Sequence, residues 1–112
     1  MPRFVILEHD WPTRHWDLLL EAGPILRAWR LLTEPTVSVV PAQANADHRL
    51  FYLDHEGPVS GDRGTVARWD SGTFDWIAEG SEYVAVELRG SKLTGPWRIE
   101  QSPSGLCFVS VS

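Results

Sequence analysis

The sequence predicts an all-β fold: a small closed, largely antiparallel β-barrel of about eight strands with at most one or two short helical turns. Three observations carry that expectation. Apolar and polar residues alternate with a period of two along most of the chain, which is the period of a strand and not of a helix. Nine Gly and eight Pro in 112 residues punctuate the chain too often for long helices. Six Trp, four Phe and two Tyr bring enough apolar area to fill the single core that a chain of this length builds, so residues 1–112 read as one domain. A barrel or a sandwich protects the edges of many short strands, and the barrel is favoured.

Each element follows from the pattern. Residues 3–8 (RFVILE) form a short apolar strand, closed by the turn HDWPT. Residues 14–21 (RHWDLLLE) place His15, Asp17, Leu19 and Glu21 on one face and Trp16, Leu18 and Leu20 on the other. AGP at 22–24 turns the chain into a strand at 25–32 (ILRAWRLL), and TVSVV at 36–40 is β-branched and brief. PAQANAD at 41–47 has Ala enough for one helical turn, with Pro41 and Asn45 preventing more. HRLFYLD at 48–54 reads as a strand before the Gly-rich turn EGPVSGDRG. TVARWD and TFDWIA flank Ser71-Gly72 as a tight hairpin. EYVAVELR at 82–89 alternates cleanly, GSKLTG turns into PWRIEQ, and LCFVSVS at 106–112 is the closing strand. No internal repeat, low-complexity tract or linker interrupts this order.

Charge narrows the function. Ten basic against fifteen acidic residues give a formal charge of −5, which argues against broad coating of nucleic acid but allows a local basic patch. All the basic residues but Lys92 are Arg, whose planar fork suits carboxylate or phosphate. The single Cys107 excludes an intramolecular disulfide and a multi-Cys zinc ribbon, and its apolar strand predicts an inert, buried thiol. No apolar run approaches the roughly 18 residues of a membrane span, and no leader opens the chain. The expectation is a soluble, cytoplasmic protein with no membrane partner.

Chemistry concentrates in His9-Asp10-(x)4-His15-Trp16-Asp17. His15 and Asp17 project from one face of a strand, and His9 can close a third corner across the turn. Two imidazoles and a carboxylate form a recurrent divalent-metal set; hydrogen-bonded surface residues are the other reading of the same spacing. His48 and Tyr52, four apart, share a face of a continuous strand and suit phosphate contact or acid–base work. From spacing alone, an exposed imidazole beside a core-edge Tyr accounts for them better. His55 falls on the opposite face and reads as a structural or surface residue. The run Gly57–Thr65 lacks the Lys-Ser/Thr ending of a nucleotide loop and reads as a tight connection. No Gly-x-Ser-x-Gly, His-Glu-x-x-His or dinucleotide fingerprint occurs.

The segment FVILEHDWPTRHWDLLLE resembles the opening of the 3′-phosphoesterase domain of bacterial DNA ligase D, where a His-Asp pair precedes His-aromatic-Asp and then Glu. The resemblance continues through the Trp29 strand, DHRLFYLDHEG and GTVARWDSGTFDW, and more weakly through VELRGSKLTGPWRIE. It implies a closed barrel with its active site in a mouth, using a divalent metal, typically manganese with zinc or cobalt as alternatives. It implies removal of a 3′-terminal ribonucleoside and then the 3′-phosphate from nucleic-acid ends in DNA repair. By position, His9, His15 and Asp17 become the metal ligands, His48 the phosphate contact and Tyr52 its support.

Two departures stand out. Leu19 occupies the place of a phosphate-gripping Arg two residues past the metal Asp, and Leu32-Thr33-Glu34 replaces the usual Pro-Lys-Gly. Losing one such transition-state donor costs roughly 3–4 kcal/mol. Arg14, Arg30 and Arg63 are the candidate replacements. Leu19 itself is expected beside the metal, so that Leu19→Arg would raise activity. The weakened phosphate site leaves a second reading open: a non-catalytic metal-binding barrel that recognises nucleic-acid ends or a repair partner. A phosphoesterase for small metabolites is a third. The sequence shows no ligase or polymerase region, so the expectation is a protein that acts alone or with a separately encoded ligase or polymerase.

Overall fold

Alternation in the first strand sorts side chains onto two walls. Phe4 and Ile6 join one apolar cluster, Val5 and Leu7 another. The computed structural model describes residues 1–81 and 83–111; Glu82 and Ser112, at the ends of two expected strands, lie outside the described residues. The strands are β1 (Arg3–His9), β2 (His15–Ala22), β3 (Ile25–Leu31), β4 (Val39–Arg49), β5 (Gly57–Pro58), β6 (Thr65–Glu79), β7 (Val84–Gly90), β8 (Thr94–Ser102) and β9 (Gly105–Ser110). A single 3-10 turn, Leu50–Leu53, is the only helical element among the described residues.

The sheet runs β1-β2-β3-β4-β9-β8-β7-β6, and β1 pairs with β6 to close it. The result is an eight-stranded antiparallel barrel, with the two-residue β5 added to the start of β6. Every barrel strand sends side chains into the interior, among them Ile6, Leu18, Trp29, Val40, Phe74, Leu88, Trp97 and Phe108. The Trp97 and Phe108 rings stack at 4.4 Å. The second cluster lies on the outer wall: Val5, Leu7, Leu19, Leu26, Ala28 and Val66 are covered by Leu53 and Val59. Burying each of these two capping side chains contributes about 1.5–3 kcal/mol. They hold the segment between β4 and β6 flat against the barrel.

Four local expectations are corrected. Residues 41–47 are strand and not a helical turn, because Leu31, Arg30 and Trp29 pair with Ala42, Gln43 and Ala44 along β4. Ladder pairing and burial of Ala42 override the helical preference of Ala. Residues 36–38 stay outside the strand, which begins at Val39. The strand expected at 48–54 ends at Arg49, and the chain coils into the 3-10 turn. Ser71-Gly72 is no hairpin: β6 runs unbroken over 15 residues, pairing first with β1 and then with β7.

Gly72 serves close approach and not a turn. A Cβ there would lie 2.0 Å from the Arg89 carbonyl oxygen of the neighbouring strand. One extra residue, Trp69, bulges from β6 between its pairings with Ile6 and Leu7. Beside it the buried Asp70 carboxylate accepts the backbone N–H groups of Ser71, Ser91, Lys92 and Leu93 at 2.8–3.1 Å, which fixes the turn after β7. No helix among the described residues is long and apolar enough to cross a membrane.

Candidate metal centre

The short β1–β2 connection builds the centre. His9 ends β1 and His15 begins β2, and the two face each other in the antiparallel register, with Leu7 opposite Asp17. Their ring centroids are 4.9 Å apart. His9, His15 and Asp17 have the strand parity of Val5, Leu7 and Leu19, so they stand on the outer wall and not in a mouth of the barrel. The interior is taken by the opposite parity, Phe4, Ile6, Trp16 and Leu18. A cleft of 230 Å³ over the interior residues Trp29, Val84 and Ile99 offers no His, Asp or Glu among the described residues.

Backbone carbonyls set the two imidazoles. His15 Nδ1 lies 2.8 Å from the Thr13 carbonyl oxygen, and His9 Nε2 lies 2.8 Å from that of Arg63. A carbonyl only accepts, so each of these ring nitrogens donates. The other nitrogens, His15 Nε2 and His9 Nδ1, face Asp17 at 3.2 Å and 3.5 Å. Asp17 Oδ1 is buried and has no hydrogen-bond partner among the described residues. The three ligand atoms lie within 4.8 Å of one another. The three side chains converge on one point, and two nitrogens with one carboxylate fit a divalent transition ion better than calcium or magnesium.

A groove of about 240 Å³ opens over this triad, and Trp11, Arg30, Asn45, His48, Tyr52 and Arg63 also line it. A larger cleft of 440 Å³ around Trp69, Lys92 and Trp97 holds no such ligand set among the described residues. His48 reaches the groove through an irregularity in β4. Ala28 pairs with Asn45 but Leu26 with His48, so two steps along β3 face three along β4. Asn45 and His48 would lie on opposite faces of a regular strand; the bulge puts both on the outer wall. His48 Nδ1 donates to the Ala46 carbonyl oxygen at 2.9 Å, which leaves Nε2 as its other ring nitrogen. Tyr52 does not share a strand with His48, as its even spacing suggested. The 3-10 turn returns it instead, edge-on, with ring centroids 5.6 Å apart.

The remaining candidates separate clearly. Leu19 is fully buried in the outer cluster and does not line the groove, so it presents no apolar surface there. Arg14 is ion-paired to Glu8, while Arg30 and Arg63 border the groove. Leu32-Thr33-Glu34 contributes nothing to it; Glu34 accepts the Trp69 indole N–H at 3.0 Å. His55 makes a local contact with the Pro58 carbonyl at 2.9 Å, and Cys107 is buried, as expected of both.

Sequence reasoning missed the clasp that positions His9. Asp10 accepts the Thr65 backbone N–H at 2.8 Å and its hydroxyl at 3.1 Å. The amide hydrogen bond is the main reason that its carboxyl is held below the usual range. Gly64, at φ +75°, lets the loop close here: a Cβ would meet Asp10 Oδ1 at 2.3 Å. The clasp thereby seats the Arg63 carbonyl against His9. Its partners are 55 residues apart, and only the Gly before Thr65 hints at it.

Residues 7–101 match the family model described as the DNA ligase D 3′-phosphoesterase domain. The multifunctional non-homologous end joining DNA repair protein LigD of Mycobacterium tuberculosis is 33% identical over 106 residues, covering 86% of this chain. The multifunctional non-homologous end joining protein LigD of Mycobacterium bovis matches to the same extent. The chain spans 14% of the length of these relatives. This chain belongs to the DNA ligase D 3′-phosphoesterase domain family.

Proposed function

We propose that the chain is a metal-dependent phosphoesterase acting on nucleic-acid 3′ ends in DNA repair, removing a 3′-ribonucleoside or a 3′-phosphate. The observation that supports this most is the convergence of three acceptor atoms, from His9, His15 and Asp17, in one groove with His48 and Tyr52. Family membership supports the reaction class. His9, His15 and Asp17 would hold the ion, with manganese proposed and zinc or cobalt as alternatives. Such an ion, when bound, supplies Lewis-acid polarisation of a phosphoryl oxygen and lowers the pKa of water.

The chain's own groups do the rest. The Thr13 and Arg63 carbonyls keep both imidazoles turned toward Asp17. With Nδ1–H donating to Ala46, His48 would act through Nε2, accepting a proton there as the neutral ring or donating one as the imidazolium to a phosphate oxygen or a leaving alkoxide. Tyr52, packed edge-on against that ring, supports its orientation. A ligase or polymerase would use the 3′-hydroxyl left once the phosphate is removed.

Leu19 in place of a phosphate-gripping Arg favours the second reading, a barrel that binds metal and nucleic-acid ends without turnover. One assay separates them. Duplexes ending in a 3′-phosphate or a 3′-ribonucleotide are incubated with manganese and the intact protein, Asp17→Ala or His48→Ala. The expected result is release of phosphate or ribonucleoside by the intact protein, and loss of at least a hundred-fold in both variants. End binding with no product from the intact protein would establish the non-catalytic reading.

A further inference from the structure

Two guanidiniums border the groove, and their surroundings differ. Arg63 is folded back on its own turn: Nε donates to the Ser60 carbonyl at 2.7 Å and Nη2 to the Ser60 hydroxyl at 3.2 Å. Arg30 has no hydrogen-bond or ion-pair partner among the described residues, although it is half-buried. Register explains its place. Arg30 pairs with Asp17 across β2 and β3, so the two side chains leave the outer wall as neighbours. Yet they form no ion pair. Across the groove stands His48, and Asn45 lies between them on β4.

A half-buried guanidinium without a partner is costly, and a groove that keeps one beside a metal-type triad is arranged for an anion. The fork of Arg reads two oxygens of one phosphate, which a point charge does not. We propose that Arg30 is the phosphate-binding residue of this site. It grips non-bridging oxygens of the terminal phosphate from the strand next to the one that carries Leu19. This inference rests on the 3′-end reading above and names the residue that recognises the end.

The test is equilibrium binding without turnover. Two oligonucleotides of identical sequence, one ending in a 3′-phosphate and one in a 3′-hydroxyl, are titrated by fluorescence anisotropy into metal-free protein. The intact protein is expected to prefer the phosphorylated end by at least ten-fold. Arg30→Ala should abolish that preference, Arg30→Lys should recover part of it, and Arg14→Ala should keep it, because Arg14 is tied to Glu8. Manganese affinity, measured separately by calorimetry, should be unchanged in Arg30→Ala, which separates loss of the anion contact from loss of the site. An Arg30→Ala protein that keeps the preference overturns the assignment while leaving the 3′-end reading intact. An intact protein with no preference between the two ends overturns both.

Discussion

Leu19 shows how little a shared face decides. Its parity places it on the wall that carries His15 and Asp17, but it is sealed under Leu53 and Val59 with Val5, Leu7, Leu26 and Ala28. An Arg introduced there would bury a charge with no partner, at a cost of several kcal/mol. Leu19→Arg is therefore expected to lower stability by about 3 kcal/mol or more. That corresponds to a fall in Tm of roughly 12 °C or more for a domain of this size. It would also bring no gain in 3′-end processing, the reverse of what the sequence alone suggested. Thermal unfolding followed by circular dichroism measures this directly; a folded variant with an unchanged Tm would refute it. His9, His15 and Asp17 were legible because a strict two-residue period and a short connection leave only one way for them to meet. Arg30 was legible only as one of three candidates. Choosing it required the Asp17–Arg30 register, the Arg14–Glu8 pair and the contacts of Arg63 with Ser60.

At the scale of elements, the site depends on irregularities more than on the ladders. A bulge in β4 turns His48 outward, a 3-10 turn returns Tyr52, and the Gly64 loop presents a carbonyl to His9. None of these has a period, which is why alternation along 41–54 pointed to a helical turn and a strand instead. The Asp10–Thr65 clasp is the most accessible of them to experiment. Outer hydrogen-bond partners of a metal-binding His typically matter by 10–100-fold in affinity. Asp10→Ala should release the loop, loosen the Arg63 carbonyl from His9 and weaken manganese binding by about ten-fold, far less than Asp17→Ala. Gly64→Ala should act in the same direction, since its Cβ would collide with Asp10 and its φ of +75° disfavours any side chain. Calorimetric titration of the three variants ranks them. Equal affinities for Asp10→Ala and the intact protein would show that the clasp does not set the ligand geometry.

For the whole molecule, charge is the property that limits how a nucleic-acid end is held. The formal charge is −5, and much of the positive charge is already engaged within the fold. Arg3 is paired with Asp54, Arg14 with Glu8, Arg89 with Asp75 and Arg98 with Glu100. Lys92 lies over the Trp69 ring at 4.4 Å, beside the larger cleft and not beside the triad. The cations left near the groove are Arg30 and Arg63 on its border and Arg49 over the Phe51 and Tyr52 rings. A strand end docked there meets a few guanidiniums and then an acidic surface, so contacts should not extend along the backbone. Each phosphate neutralised contributes a slope of about −0.7 to −0.9 in log affinity against log salt. One to three contacts then give a total slope between roughly −0.7 and −2.7. Anisotropy titrations of a 3′-phosphorylated oligonucleotide across a salt series read that slope, and Arg30→Ala should reduce it by about one contact. A slope corresponding to six or more phosphates would mean that the strand tracks across the barrel surface, and the site would then be a groove for a chain of nucleotides and not a seat for its end.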